Sequence, residues 1–262
     1  MYNRKPLDIK EEQSLLTYDE VKDIYSKYFV DFEYVASLQR LDDDGSSVCP
    51  YTEKELIEKI KKEYERLDSD YFLSYTANPK QIASSYIMNA FSISGITFTP
   101  SIEPGYNYQM YTFEKCATIM HELAHTKGVM RESDANEVAY YLLLTSDDVY
   151  LKYVGYLYTY PYMVRAIRLI NDSEEIYIPH VAYIDRKKAA SYWEEKGVME
   201  KLGEWINSLY LKSNSQDGID SYTSKENYQK EEIIDEEGQE KIIYTVKQFS
   251  HIQNMIFALY KN

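Results

Sequence analysis

The motif HELAH at residues 121–125 places the strongest condition on how this chain folds. Residues i and i+4 of a helix share a face, so His121 and His125 can direct two imidazole nitrogens to one Zn²⁺ if the motif is helical. Such nitrogens bind zinc at about 2.0–2.1 Å. Glu122 would lie beside the metal without binding it, placed to take a proton from a zinc-bound water.

The sequence around the motif predicts a helix over residues 112–127. Thr112 is a candidate N-cap, Gly128 suits a left-handed C-terminal cap, and neither Pro nor Gly interrupts the segment. Apolar residues recur at helical spacing together with the two histidines: Phe113, Cys116, Ala117, Met120 and Ala124.

A third ligand is expected from the segment ESDANEVA at residues 132–139. A metzincin would carry its third histidine where this chain has Arg131, which stays protonated and cannot bind a metal. If the segment forms a second helix, Glu132 completes a His₂Glu set with one open position, and Asn136 can form a hydrogen bond to a ligand. Asp134 and Glu137 are rival ligands that point away from that face.

HELAH followed by E-x-x-A-N resembles the gluzincin peptidases, which combine HExxH with a later glutamate in E-x-x-A-D/N. More closely, the chain resembles a bacterial family of zincin-like, membrane-anchored proteins known only as a domain of unknown function. The block from HELAH to ESDAN is the specific part of this likeness. Weaker pieces lie across residues 1–222: YNRKPL at 2–7, SGITFTP at 94–100, YLKYVGY at 150–156, Trp193, and YLKSN at 210–214 with Gly218, Ser221 and Tyr222.

In that family, membrane-spanning helices precede the YNRKPL segment. The resemblance therefore implies that this chain is the soluble portion of a bacterial cell-membrane protein, facing outside, with membrane helices that are absent from this sequence. Without the resemblance, the expectation is a soluble cytoplasmic protein, because the sequence shows no signal peptide and no apolar run of membrane length. The sequence indicates no oligomeric state.

Charge and cysteine content exclude several classes of partner and site. A net charge of −14 argues against nucleic acid and anionic membrane surfaces as partners. The two cysteines, Cys49 and Cys116, are too few for a disulfide scaffold or a cysteine-bound zinc. Cys116 lies off the face of His121 and is expected in the core. The run DDDGSS at 42–47 is expected to be a loop, because it lacks the spacing of a Ca²⁺-binding EF-hand.

The segment SGITFTP at 94–100 predicts a short strand just before the HELAH helix. An extended peptide can pair with the edge of such a strand, which makes Ile96, Thr97 and Phe98 candidate substrate-binding residues. A purely structural strand is the alternative. A loop is expected over residues 101–110.

The remaining elements follow from capping boxes, prolines and turn signals. We expect helices from Thr17 to about residue 39, from Thr52 to about residue 67, over 79–91 from Pro79, over 147–170 with a kink or break at Pro161, and over 184–196, 197–213 and 246–260, together with a hairpin over 231–245.

Tyrosines in the 147–170 helix could take part in catalysis. Tyr153, Tyr156 and Tyr158 are candidates to donate to the oxyanion of a tetrahedral intermediate, as is Arg131 beside the motif. Packing in the core is the alternative for each tyrosine, because most aromatic residues at helical spacing are buried.

These features predict a mainly α, zincin-like domain over residues 1–262, with N-terminal helices and edge strand (1–111), zinc-site helices (112–145) and a C-terminal helical part (146–262) that contains the hairpin insertion. The expected function is a zinc-dependent peptidase that acts on peptides or proteins, with Zn²⁺ on His121, His125 and Glu132 and with Glu122 as general base. One alternative is an inactive zinc-binding sensor or scaffold ectodomain of a membrane protein. Another is hydrolysis of a non-peptide amide, for instance in cell-wall material.

Overall fold

Helices form most of the computed structural model, which describes residues 16–67, 75–98, 101–170, 175–197, 230–234, 240–244 and 249–261. This confirms the prediction of a mainly helical protein. The helices are α1 (Tyr18–Ser37), α2 (Glu53–Tyr64), α3 (Ser85–Ala90), α4 (Thr112–Thr126), α5 (Glu132–Leu144), α6 (Val149–Ile170), α7 (His180–Lys196) and α8 (His251–Tyr260).

Three small sheets accompany these helices within the described residues. The strands are β1 (Leu16–Thr17), β2 (Arg40–Leu41), β3 (Ser47–Val48), β4 (Lys80–Gln81), β5 (Gly95–Phe98), β6 (Glu103–Tyr106), β7 (Lys230–Ile234) and β8 (Glu240–Tyr244). β7 and β8 form the predicted hairpin, and β1 pairs with β8. β5 confirms the predicted strand and pairs antiparallel with β6, which lies where a loop was expected. The order β4-β6-β5 leaves β5 at an edge of its sheet.

Local hydrogen bonds start the first two helices where the sequence predicts. Thr17 and Thr52 each accept a hydrogen bond from the backbone N–H three residues later, and Glu20 and Glu55 bond back to the cap. The prediction of a helix over 79–91 is wrong. The residues that follow Pro79 are extended and pair with β6, and α3 begins only at Ser85. Several boundaries also differ, among them those of α4, α7 and α8: Tyr111, not Thr112, is the N-cap of α4, α7 begins at His180, and α8 begins at His251.

The core is built where α1 packs against α6. Tyr28 and Phe32 of α1 are fully buried, and their rings lie 5.1 and 5.3 Å from the ring of Tyr156 on α6. The Tyr28 hydroxyl shares a hydrogen bond of 2.7 Å with Thr159 Oγ1. α6 continues through Pro161 as one helix, so of the expected kink or break the break is not observed, and the kink stays a prediction.

A tight turn connects the two helices that carry the HELAH and ESDAN segments. Gly128 has φ = 93°, in the left-handed region that favours glycine, as predicted. The N–H groups of Gly128 and Val129 donate to the carbonyls of His125 and Ala124 at 3.0 and 3.2 Å, which closes the end of α4. The chain can therefore turn back within a few residues, and Glu132 lies close to the last turns of α4.

From residue 198 onward, the predicted helix over 197–213 lies outside the described residues. In the part of the chain that the structure describes, none of the helices has the length and apolar character needed to cross a bilayer. The membrane helices that the family resemblance implies stay a prediction.

Candidate metal centre

Three side chains from α4 and α5 converge on one point. His121 and His125 lie one helical turn apart on α4, and Glu132 is the first residue of α5. One nitrogen or oxygen atom from each residue lies within 4.8 Å of those from the other two. The structure therefore brings together the three residues that the sequence analysis selected as ligands.

The distances between the three atoms fit a tetrahedral zinc ion. Nε2 of His121 lies 3.0 Å from Nε2 of His125 and 3.0 Å from Oε2 of Glu132. Nε2 of His125 lies 3.5 Å from the same oxygen of Glu132. Two ligand atoms at about 2.0–2.1 Å from one tetrahedral zinc ion are about 3.3 Å apart. The observed triangle therefore has the size of one face of a zinc tetrahedron.

Hydrogen bonds behind the two imidazoles determine which nitrogen faces the centre. Nδ1 of His125 lies 2.8 Å from the carbonyl oxygen of Val129, which can only accept, so Nδ1 carries the proton. Nδ1 of His121 lies 2.8 Å from Oδ1 of Asn136, the contact expected of a residue one turn after the third ligand. When both rings are neutral, each presents its Nε2 lone pair, and three acceptors face one another. They repel one another unless a proton or a metal ion lies between them.

The charges around the centre also favour a cation. Burial alone would lower the pKa of His125, but the hydrogen bond to Glu132 and the negative charges of Glu132 and Glu122 raise it to about 9. Burial alone would raise the pKa of Glu132, but the hydrogen bonds and charges of His121 and His125 lower it. The centre stabilises added positive charge, and a metal ion satisfies all three acceptors at once.

Replacing Asn136 with alanine is expected to weaken zinc binding about 10- to 100-fold, the usual cost of removing the outer partner of a zinc-bound histidine. The variant loses the acceptor that holds His121 with Nε2 toward the centre. Competition with a chelator of known zinc affinity would measure the change. Asn136→Asp keeps an acceptor oxygen and is the matched control, expected to stay close to the original affinity. An unchanged affinity in Asn136→Ala would show that His121 does not depend on this partner.

Glu122 lies between the two histidines in sequence, with its side chain against β5. It is 6% exposed, and the Thr97 hydroxyl donates a hydrogen bond of 2.7 Å to its Oε2. Burial raises the pKa of the Glu122 carboxyl, while the charges of His121 and His125 and the Thr97 hydrogen bond oppose that rise. The net shift in the pKa of Glu122 is upward, so burial outweighs the charges and the hydrogen bond.

The rival carboxylates on α5 are buried but bind elsewhere. Asp134 accepts a hydrogen bond of 3.2 Å from Ser133 Oγ, and Oε2 of Glu137 lies 4.0 Å from Nδ1 of His251. Cys116 is a free thiol in the core, as expected. Among the described residues, the convergent set contains three protein ligands and no fourth. That number is typical of catalytic zinc sites, whereas structural sites usually have four.

Two of the three tyrosine candidates have their hydroxyl groups engaged in the core. Tyr153 is fully buried and donates to Oδ2 of Asp185 at 2.7 Å, and the Tyr156 hydroxyl shares a hydrogen bond of 2.6 Å with Tyr260. These partners favour the packing alternative for both residues. Arg131 is the exposed N-cap residue of α5, directly before Glu132 in the chain, and its role in stabilising the oxyanion stays a prediction.

The three candidate substrate residues on β5 divide between its two faces. Ile96 and Phe98 are 43% and 59% exposed, whereas the Thr97 hydroxyl is bonded to Glu122 on α4. This contact was not predicted from the sequence, although strand alternation alone places Thr97 opposite to its neighbours. The Val129 carbonyl behind His125 was not predicted either, because a sequence motif does not show which backbone acceptors lie near it.

A family model described as "Protein of unknown function (DUF3810)" matches residues 1–228. The match contains α4, α5 and the three convergent residues, and it ends just before the β7–β8 hairpin. No curated protein and no solved structure matches the chain.

Proposed function

This chain belongs to the DUF3810 family, and we propose that it is a zinc-dependent peptidase with His121, His125 and Glu132 as zinc ligands. The observation that carries the proposal is the convergence of three acceptor atoms 3.0–3.5 Å apart beside a buried glutamate. The same arrangement, HExxH with a glutamate from the following helix, distinguishes the gluzincin peptidases that the sequence resembles.

Each ligand has a support that holds it in place. Asn136 and the Val129 carbonyl orient the two imidazoles, and the N-terminal position of Glu132 on α5 favours its negative charge. A zinc ion held by His121, His125 and Glu132 would supply Lewis acidity, which would polarise a carbonyl and lower the pKa of a bound water toward about 7.

Glu122 carries the proton transfers. It is adjacent to His121 in the chain, and its buried carboxyl has a raised pKa. In the proposed reaction Glu122 takes the proton of the attacking water and passes it to the amine that leaves. Arg131, beside the ligand set, is the candidate that stabilises the oxyanion.

β5 supplies a surface for an extended substrate. It lies at the edge of its sheet, and its exposed Ile96 and Phe98 side chains are directed away from α4. A peptide that pairs with this edge forms main-chain hydrogen bonds beside Glu122, which favours a peptide over a compact small molecule as substrate. This is the feature that distinguishes the peptidase from an amidase acting on another polymer.

Removing the metal tests the proposal directly. The zinc-loaded protein is expected to cleave members of a mixed peptide library, and treatment with a chelator is expected to abolish cleavage until zinc is restored. Mass spectrometry of the library before and after incubation measures the products. Stoichiometric zinc without cleavage of any peptide would contradict the peptidase and favour the inactive sensor or scaffold.

A further inference from the structure

The two faces of strand β5 have different surroundings. Ile96 and Phe98 are exposed, whereas Gly95 and Thr97 alternate with them and approach α4. The peptide-binding edge and the wall behind the general base are therefore parts of one four-residue strand.

Thr97 makes two contacts with the same residue of α4. Its hydroxyl donates to the Glu122 carboxylate at 2.7 Å, and the backbone carbonyl of Glu122 lies 3.2 Å away. Because the shorter contact is to a carboxylate, it is the stronger of the two. It holds one carboxylate oxygen at a fixed place on the strand.

Gly95 makes room for the other carboxylate oxygen. A Cβ atom built on Gly95 would lie 2.6 Å from Oε1 of Glu122 and 2.6 Å from Cγ2 of Thr118. Both distances are far below van der Waals contact, so the observed side-chain position of Glu122 requires glycine at this place in β5. The residue is needed for close approach and not for an unusual backbone angle.

We propose that Thr97 is a positioning residue for the general base Glu122, and that Gly95 provides the clearance that lets Thr97 hold it. This inference rests on the proposed peptidase function for its kinetic consequence. The hydrogen bond limits the rotation of the carboxylate, so the strand that binds the substrate also aligns the base with it. Thr97, expected from the sequence to bind substrate, acts instead through Glu122.

The kinetic test compares two substitutions of Thr97. Thr97→Val removes the hydroxyl at nearly constant shape and is expected to lower kcat about 10- to 100-fold, the range that small misplacements of catalytic groups cause. KM is expected to change by less than about twofold, because the exposed side chains of β5 are intact. Thr97→Ser keeps the hydroxyl and is expected to recover most of the lost kcat.

Thr159→Val is the matched control. It also removes a buried threonine hydroxyl, one that bonds to Tyr28 and to the Gly155 carbonyl on α6. It is expected to lower stability while leaving kcat unchanged. A loss of kcat in Thr97→Val that Thr97→Ser does not recover, or an equal loss in Thr159→Val, would overturn the positioning role.

A second test does not depend on activity. Urea unfolding in saturating zinc is measured for wild type, Thr97→Val, Glu122→Ala and the double variant. Glu122→Ala keeps the backbone carbonyl, so the comparison isolates the carboxylate contact. Thr97→Val is expected to raise the unfolding equilibrium constant about tenfold with Glu122 present, and by less than about twofold in the Glu122→Ala background.

The two tests separate the two proposals. Equal effects of Thr97→Val in both backgrounds would overturn the positioning role even if the protein cleaves peptides. Coupling in the unfolding cycle without any cleavage by wild type would retain the Thr97–Glu122 contact and reject the peptidase.

Discussion

Glu132→Ala is expected to leave a folded protein that no longer retains zinc through purification. Glu132 supplies the only oxygen of the convergent set and the only charge within that set that offsets the metal. Loss of an outer partner typically costs 10- to 100-fold in metal affinity, so loss of a ligand is expected to cost more than about 100-fold. Elemental analysis of wild type and variant, prepared side by side, measures the zinc content per chain.

Glu137→Ala is the matched control for this change. Glu137 is a buried glutamate on the same helix, and it lies outside the convergent set. Its loss is expected to leave zinc near one per chain. Full zinc retention in Glu132→Ala, or zinc loss in Glu137→Ala instead, would reject the assignment of Glu132 as the third ligand.

Glu122→Gln is expected to retain zinc and lose nearly all peptide cleavage. The amide has the size of the carboxyl and can still accept the Thr97 hydrogen bond, but it cannot take a proton from water. General-base contributions are typically about 10²- to 10⁴-fold, and kcat is expected to fall by that amount. The measurement is the cleavage rate of a library-selected peptide, normalised to zinc content.

Glu114→Gln controls for the loss of a buried carboxyl on α4. Glu114 lies two turns before the motif and accepts a hydrogen bond of 2.7 Å from Nε1 of Trp193. Its variant is expected to cleave at close to the wild-type rate. Cleavage by Glu122→Gln at an undiminished rate would remove Glu122 from the mechanism and leave the metal site without a known base.

Features encoded in a few neighbouring residues were predictable from the sequence. The capping boxes at Thr17 and Thr52 start helices where expected, and Gly128 adopts the predicted left-handed conformation. The geometry of the three metal ligands was predictable for the same reason. The i, i+4 spacing of the histidines and the short turn before Glu132 depend on local chain geometry alone. The expected hydrogen bond from Asn136 to a ligand, which the structure shows to be His121, follows from the same helical periodicity.

Features that depend on distant contacts were not predictable. Tyr153 and Tyr156 show the same spacing whether they are core or catalytic residues, and their partners Asp185 and Tyr260 lie far along the chain. Pro79 is compatible with the start of a helix and with an extended segment. The segment is extended because the residues after Pro79 pair with β6. Position alone on β5 likewise could not show that Thr97 bonds to Glu122.

The most direct test of the account is a crystal structure of the zinc-loaded protein with anomalous diffraction recorded on both sides of the zinc absorption edge. We expect one zinc ion bound by Nε2 of His121, Nε2 of His125 and the carboxylate of Glu132, with a non-protein oxygen as fourth ligand. The two nitrogens are expected at about 2.0–2.1 Å from the metal. A zinc ion bound elsewhere, or a fourth protein ligand that closes the site, would contradict it.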